Sequence, residues 1–335
     1  MTRLPPLPGR TDTRIDALMT LLATRPMLVI NGARIAREIG VTRGAVWQWV
    51  GKLRSLGVRV KGVKGAGYRV EQAPDTLVPG LLKPRLRRTI YQGNLHHLFK
   101  TGSTNDVAMA LGQQGAPHGT VVIAEEQTAG RGRLGRKWYS EKASGIYASI
   151  LLRPALPPPS APMLTLAAGL AARHAVAEQT GLAPDIRWPN DLLLNGRKFA
   201  GILTEMQAEP DRIQFVVTGV GINVNHERFP DDLGSTATSL RIETKRVHSR
   251  LELLVKLLLK LEDRYNRLIT AGPGPLVDEF TRVSSFALGK RVQVRTATET
   301  FTGTTDGLEP NGLLRVRREG GRVDVVVAGE VRETA

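Results

Sequence analysis

Gly130-Arg131-Gly132-Arg133-Leu134-Gly135 spells Gly-x-Gly-x-x-Gly, so the fold turns on whether this hexapeptide cradles a dinucleotide. A turn of that kind lies between a strand and a helix and is followed about twenty residues on by an acidic ribose ligand. Neither flank complies. The apolar run Thr120 to Ala124 predicts a strand, yet Glu125 to Ala129 intervene. Downstream, Arg136-Lys137-Trp138-Tyr139 leads to a second strand, Gly145 to Leu152, with no helical run between. Backbone amides ordinarily suffice where phosphate meets a helix N-terminus, so two arginines inside the turn are foreign to that role. The stretch reads as a strand-to-strand loop whose Arg131, Arg133, Arg136 and Lys137 form a lid over an anion; alone, it leaves a solvated basic hairpin as the lesser alternative.

Its company narrows the choice. Upstream lies Thr101-Gly102-Ser103-Thr104-Asn105-Asp106, where Ser103 with Asp106 can cap a helix. Downstream come Arg187-Trp188-Pro189-Asn190-Asp191, then Gly196 to Leu203 with Arg197 and Lys198, then Gly219-Val220-Gly221-Ile222-Asn223-Val224-Asn225.

Charge is unevenly spread over the 335 residues, whose 47 basic and 31 acidic side chains leave +16. Residues 1–70 hold thirteen basic and three acidic residues, so +10 sits in the first fifth, as expected where a polyanion is bound. There, Arg14 to Ala23, Gly32 to Ile39 and Thr42 to Leu56 are helix-periodic, with Gly40 and Val41 as a tight turn and Thr42 as N-cap. Val46, Val50, Leu53 and Gly57 share the inner face, which Trp49 borders; Gly44, Gln48, Lys52 and Ser55 share the outer. Alternation from Val58 to Val70 around a glycine-rich tip predicts a hairpin. The sum is a winged helix-turn-helix, whose third helix would carry Thr42, Arg43, Gly44, Trp47, Gln48 and Lys52 to a major groove while Lys61, Lys64 and Arg69 meet phosphates. The bland alternative is a small helical domain for protein contacts.

Three prolines between Glu71 and Pro84 read as a linker. Ser249 with Glu252 opens a helix whose stripe, Leu251, Leu254, Val255, Leu258, Leu261 and Leu268, reads as core rather than a dimer zipper. A second helix near Pro275 to Ser284 precedes short strands at Lys290–Thr296, Glu299–Thr304, Leu313–Arg318 and Arg322–Ala328. The absence of cysteine excludes disulfides, thiolate zinc sites, Fe–S clusters and cysteine nucleophiles. The six histidines show no metal-ligand spacing. No run of about eighteen apolar residues and no secretory leader appears, so the chain is expected to be soluble and cytoplasmic.

Taken in this order behind a winged helix, EQTAGRGRLGRKW (126–138) and RWPNDLLLNGRKFAGIL (187–203) with their neighbours resemble the bifunctional biotin protein ligase and biotin operon repressor family, from about Thr13 to Glu330. The resemblance implies a multidomain α+β fold: winged helix-turn-helix (1–70), linker (71–84), a mixed-sheet catalytic domain akin to class II aminoacyl-tRNA synthetases (85–284) and an SH3-like small β-barrel (285–335). It implies ATP, biotin and Mg²⁺, formation of biotinyl-5′-AMP, transfer of biotin to a lysine of the biotin carboxyl carrier protein of acetyl-CoA carboxylase, operator DNA as partner, and a homodimer on adenylate binding. By resemblance, Ser103, Thr104, Asn105 and Gln127 hold the biotin ring, Arg131, Gly132 and Arg133 form the ligand loop, and Lys198 contacts the biotin carboxyl and adenylate. Trp138, Asn190, Asn223 and Arg133 face the nucleotide. Asp191 helps seat it or accepts the acceptor lysine's proton, and the metal ligands stay unassigned. Gly201, in the biotin site, more simply permits close packing, and Trp188 and Phe199 read as core. Arg187 stands where many relatives carry lysine.

Three rivals remain. Lipoate ligases share the fold, but their arginine-serine-glycine motif is missing here. A non-catalytic ligand-sensing transcription factor would not need Lys198 and the arginine loop. A ligase with a degenerate, non-DNA-binding winged helix is the third.

Overall fold

A computed structural model of the protein describes residues 13–25, 28–55, 58–71 and 75–334, and of Thr13, Ala23, Lys52 and Ser55 the backbone alone. Leu56 and Gly57, at the end of the third helical run, and Gln72, Ala73 and Pro74 of the linker span lie outside the described residues. Helices α1 (Thr13–Ala23), α2 (Gly32–Ile39) and α3 (Arg43–Ser55) precede a hairpin of β1 (Val60–Val63) and β2 (Gly67–Val70). Asn31 caps α2 by accepting from the Ala33 amide, and Gly40, at φ 67°, ends it in the left-handed region that glycine enters freely. Thr42 Oγ accepts from the Ala45 amide at 3.2 Å, so α3 starts where its cap predicts. Ile15, Leu18, Ile35, Val46, Val50 and Leu53 form the inner face, while Trp47 stands 68% exposed.

The span read as a linker has structure of its own. Leu77, Val78, Leu81 and Leu82 are buried around α4 (Pro79–Leu82). The Gly80 amide donates to Asp16 Oδ1 at 3.0 Å, and a Cβ on Gly80 would collide with Thr20, so α1 rests on α4 because residue 80 is glycine. Asp75 meets Arg250, a fully buried side chain that also donates to Glu125 Oε2 at 2.7 Å and to the Gly145 carbonyl at 3.1 Å. Burial opposes ionisation of Glu125, but Arg250 and then His97 overcome it and hold the carboxyl well below the usual range.

The central sheet runs β3-β4-β5-β9-β8-β7-β6. Its strands are β3 (Leu95–Leu98), β4 (Thr120–Ala124), β5 (Gly145–Leu152), β6 (Asp185–Arg187), β7 (Asp191–Leu194), β8 (Arg197–Ala208) and β9 (Ile213–Asn223). Only the β3–β4 pair is parallel. α5 (Thr104–Gln113) covers one face over Val122, Ala124, Leu151 and Val217, and α6 (Ala161–Thr180) covers the other with α9 (Arg250–Ala271). That double coverage is why β4 and β5 are buried along their whole length. The leucine stripe of α9 is buried within the chain, as core.

Short helices α7 (Asp231–Gly234) and α8 (Leu240–Thr244) follow β9, and α10 (Gly274–Val283) leads to an antiparallel sheet ordered β13-β12-β11-β10-β14. Its strands are β10 (Leu288–Arg295), β11 (Thr300–Leu308), β12 (Leu314–Arg318), β13 (Val323–Val326) and β14 (Glu330–Glu333). Sequence reading anticipated four of these and missed β14, whose one buried side chain, Val331, leaves no alternation to detect.

Candidate active site

The glycine-arginine stretch is the loop expected from its flanks. Arg131 bridges to Lys137, and Arg133–Gly135 makes one 3₁₀ turn with Leu134 at φ 56°, with no α-helix before β5. Facing it is the N-terminus of α5. Ser103 occupies the N-cap position, but its side chain makes no capping bond, which corrects the expected Ser103–Asp106 cap. The amide of Thr104, the first helical residue and out of reach of a cap at Ser103, is satisfied from across the site by Gln127 Oε1 at 2.8 Å. Ser103 is left lining a narrow cavity.

That cavity, of about 50 Å³, is lined by Ser103, Thr104, Asn105, Gln127, Arg131, Gly132, Arg133, Trp138, Asn190, Lys198 and Gly201. These were singled out in the sequence, although they come from four segments; Tyr147 of β5, which was not, lines the cavity as well. It abuts an open cavity of about 790 Å³ that shares Arg133, Trp138, Asn190 and Lys198 and adds Asp191 and Asn223. Three glycines smooth the wall of the narrow cavity. A Cβ at Gly221 would press on Trp138 at 2.6 Å, one at Gly201 would touch Lys198 Nζ at 3.2 Å, and one at Gly219 would overlap Asn105. Close packing is thus what Gly201 provides, while Trp188 and Phe199 are buried core.

Cations converge where the cavities meet. Lys198 Nζ lies 2.5 Å from Asp191 Oδ1 and 5.3 Å from the Trp138 ring centroid. Arg187 takes the other Asp191 oxygen at 2.6 Å. Burial works against the Asp191 charge, but Lys198 and Arg187 together hold its carboxyl below its ordinary range. Arg133 donates to Asn190 Oδ1 at 3.2 Å, and Asn190 Nδ2 donates to the Ile202 carbonyl at 2.9 Å. Arg131 rests on Asp106 at 2.5 Å and on Glu205 at 3.0 Å. Asn223 donates to the Thr238 carbonyl at 3.1 Å, while its own buried Oδ1 has no hydrogen-bond partner among the described residues.

Several contributors escaped sequence reading. Glu205, Ser140 and Ser149 bond to the predicted residues from behind. Arg136 reaches Glu330 of β14 at 2.5 Å, and that hydrogen bond, against a burial cost and with help from Arg332, draws the Glu330 carboxyl down to about 2. No local signal marks these pairs, because the partners lie far apart in the chain.

In the N-terminal domain, Arg43, Trp47 and Lys64 line a groove of about 520 Å³ between α3 and the hairpin. Thr42, Gly44, Gln48 and Lys61 are exposed, and Lys61 lies 3.8 Å from Glu71. The Lys52 side chain lies outside the described residues.

Family models match three segments: an HTH domain over residues 13–69, the biotin/lipoate A/B protein ligase family over 100–223, and a biotin protein ligase C terminal domain over 287–331. The bifunctional ligase/repressor BirA of Bacillus spizizenii is 37% identical over 314 residues, covering 93% of this chain and 96% of that protein. The chain belongs to the BirA bifunctional ligase/repressor family. Its ligase half is similar to the biotin–[acetyl-CoA-carboxylase] ligase of Mycobacterium tuberculosis, 38% identical over 238 residues, 69% of this chain and 86% of that one. A biotin protein ligase from Aquifex aeolicus, solved with biotin and ATP, superposes with a TM-score of 0.63 at 28% identity, covering 72% of this chain and all of that one. Within this family the two adjoining cavities lie in the ligase segment and its border with the C-terminal domain, and the groove beside Trp47 lies in the HTH segment. No described helix is long and apolar enough to cross a membrane.

Proposed function

We propose that this protein is a biotin protein ligase and biotin-responsive repressor: it joins biotin to ATP, transfers biotin to a lysine of the biotin carboxyl carrier protein of acetyl-CoA carboxylase, and binds operator DNA through residues 1–70. The observation that carries the reading is that Lys198 and Arg133 line both a narrow cavity and a large open one, with Arg131 on the narrow one. A ring bearing hydrogen-bonding groups suits the first and a nucleoside triphosphate the second. In the first step a biotin carboxylate oxygen attacks the α-phosphorus of ATP, and the bond to the pyrophosphate oxygen breaks. Two anions must approach, so Lys198 and the loop arginines lower their repulsion and stabilise the charge that grows on the phosphoryl oxygens. Asp191, held ionised, seats the Lys198 ammonium rather than serving as a strong base. In the second step the acceptor lysine's amine attacks the acyl carbon and AMP leaves; no covalent bond to the enzyme forms.

Trp138, Asn190 and Asn223 would face the nucleotide, the last through its unpartnered Oδ1. No group of three His, Asp or Glu among the described residues forms a metal cage. Asp191 is taken by two cations, so Mg²⁺ fits as a companion of the nucleotide phosphates and no step here passes through it. The reading extends to a class II aminoacyl-tRNA-synthetase-like catalytic domain (85–284) on which the segment 75–82 packs, an SH3-like C-terminal barrel (285–335), dimerisation on adenylate binding and a cytoplasmic location. The test is incubation of pure protein with ATP, Mg²⁺, labelled biotin and an apo-carrier domain. Label reaching the carrier only with ATP supports the ligase; transfer of lipoate but not biotin overturns it.

A further inference from the structure

We propose that Ser149 is a positioning residue that fixes the hydrogen-bond polarity of the Thr104 hydroxyl, so that the narrow cavity selects a ligand presenting an N–H there. The proposal rests on the biotin reading above and names what that site demands of its ligand. Ser149 does not line the cavity. It lies on β5, opposite Val122 of β4 and Gly219 of β9, and is wholly buried. Its Oγ is 2.6 Å from Asn105 Oδ1 and 2.7 Å from Thr104 Oγ1, yet a hydroxyl has one proton to give.

The neighbours decide where that proton goes. Asn105 faces the Leu203 carbonyl at 3.2 Å and Glu205 Oε2 at 2.7 Å, both acceptors, so its NH₂ must point at them. Its Oδ1 therefore points at Ser149 and accepts. The carboxamide lies against Gly219, where any side chain would overlap it, and it cannot turn over without facing oxygen with oxygen. Ser149, having donated to Asn105, offers Thr104 only lone pairs.

A second constraint closes the chain. Gln127 Oε1 accepts the Thr104 amide at 2.8 Å and so faces Thr104 as an acceptor, while Gln127 Nε2 donates to Ser140 at 3.0 Å. The Thr104 hydroxyl thus sees two acceptors behind it, Ser149 Oγ at 2.7 Å and Gln127 Oε1 at 3.1 Å. Its proton is directed inward, and what it turns to the cavity is a lone pair. A ligand N–H meets an acceptor there; a ring oxygen meets another lone pair, with a buried polar atom left unpaired on each side.

The experiment measures adenylation kinetics for wild type, Ser149→Ala, Thr104→Val and the double variant, using biotin and the two cyclic-carbamate analogues in which one ureido N–H is replaced by oxygen. Ser149→Ala should raise KM for biotin about tenfold, the worth of one buried hydrogen bond, with kcat within about twofold. Because Ser149 acts through Thr104, the double variant should be no worse than Thr104→Val. Wild type should reject one carbamate strongly, and Ser149→Ala should narrow that ratio, since the freed hydroxyl can turn and donate. Additive effects, or an unchanged carbamate ratio, would overturn the proposal while leaving the ligase intact. A wild type that does not use biotin would overturn both. Should Ser149→Ala fail to fold, Ser149→Cys keeps the size with a weak donor, and the same shifts are expected at smaller amplitude.

Discussion

A chain shortened by residues 1–71 should keep a working catalytic half, whereas one shortened by residues 1–84 should not, although both lack the winged helix. Segment 75–82 buries Leu77, Val78, Leu81 and Leu82, none more than 5% exposed. At about 1.5–3 kcal/mol each, these four account for roughly 6–12 kcal/mol in the full chain, an upper bound once α1, which packs on α4, is removed. Asp75 also partners the buried Arg250, bonding its guanidinium at 3.1 Å and its backbone amide at 2.8 Å. Stripping a buried ion of its partner costs about 3–5 kcal/mol, an upper bound here because Glu125 stays. Against the roughly 5–15 kcal/mol that holds a whole domain together, the longer deletion removes a large share of the margin. Thermal melts followed by circular dichroism, with adenylation of labelled biotin on both chains, make the comparison. Melting within a few degrees and equal adenylation would refute the reasoning. So would loss of folding in both, which would mean that the winged helix and not the strap at 75–82 is what the sheet needs.

Lys198→Ala should lower adenylation about 10²–10³-fold with little change in melting temperature, as for an electrostatic stabiliser of a transition state; a wild-type rate would return Lys198 to a surface role. Glu330→Gln frees Arg136 from β14, a half-exposed pair worth about 0.2–1 kcal/mol, so KM for ATP should rise a few-fold with kcat nearly unchanged. Burial, with the Arg250 charge, pulls His226 down to about 4, so the unfolded chain binds the proton more readily between its ordinary 6.5 and that value. Stability should therefore be full above pH 6.5 and fall by up to about 3 kcal/mol as pH drops to 4, a loss that denaturant titration of His226→Phe should show to be reduced. Lys61→Ala and Lys64→Ala should each weaken DNA binding evenly across sequences and reduce the salt slope by about 1.

Much of the architecture was legible without coordinates because its signals are local. The strands at 120–124 and 145–152 appear with the limits read from their apolar runs, and the missing helix after Gly135 ruled out a dinucleotide turn. Thr42 and Ser249 cap the helices they precede, and the α9 stripe is core, since periodicity and capping depend on residues three or four apart. Apart from Tyr147, the polar and charged residues lining the narrow cavity were picked from motifs, but that Gln127 takes the first amide of α5 depends on a partner 23 residues away. Arg136 with Glu330, Asp75 with Arg250, and Ser149 behind Asn105 lie 194, 175 and 44 residues apart. A charge or hydroxyl in a sequence has many possible partners, and burial with fixed geometry selects one. The tertiary structure therefore decided the hydrogen-bond polarity of the site, the strap at 75–82 and the contact between loop and C-terminal sheet, while the sequence by itself determined the elements and the chemical types they carry.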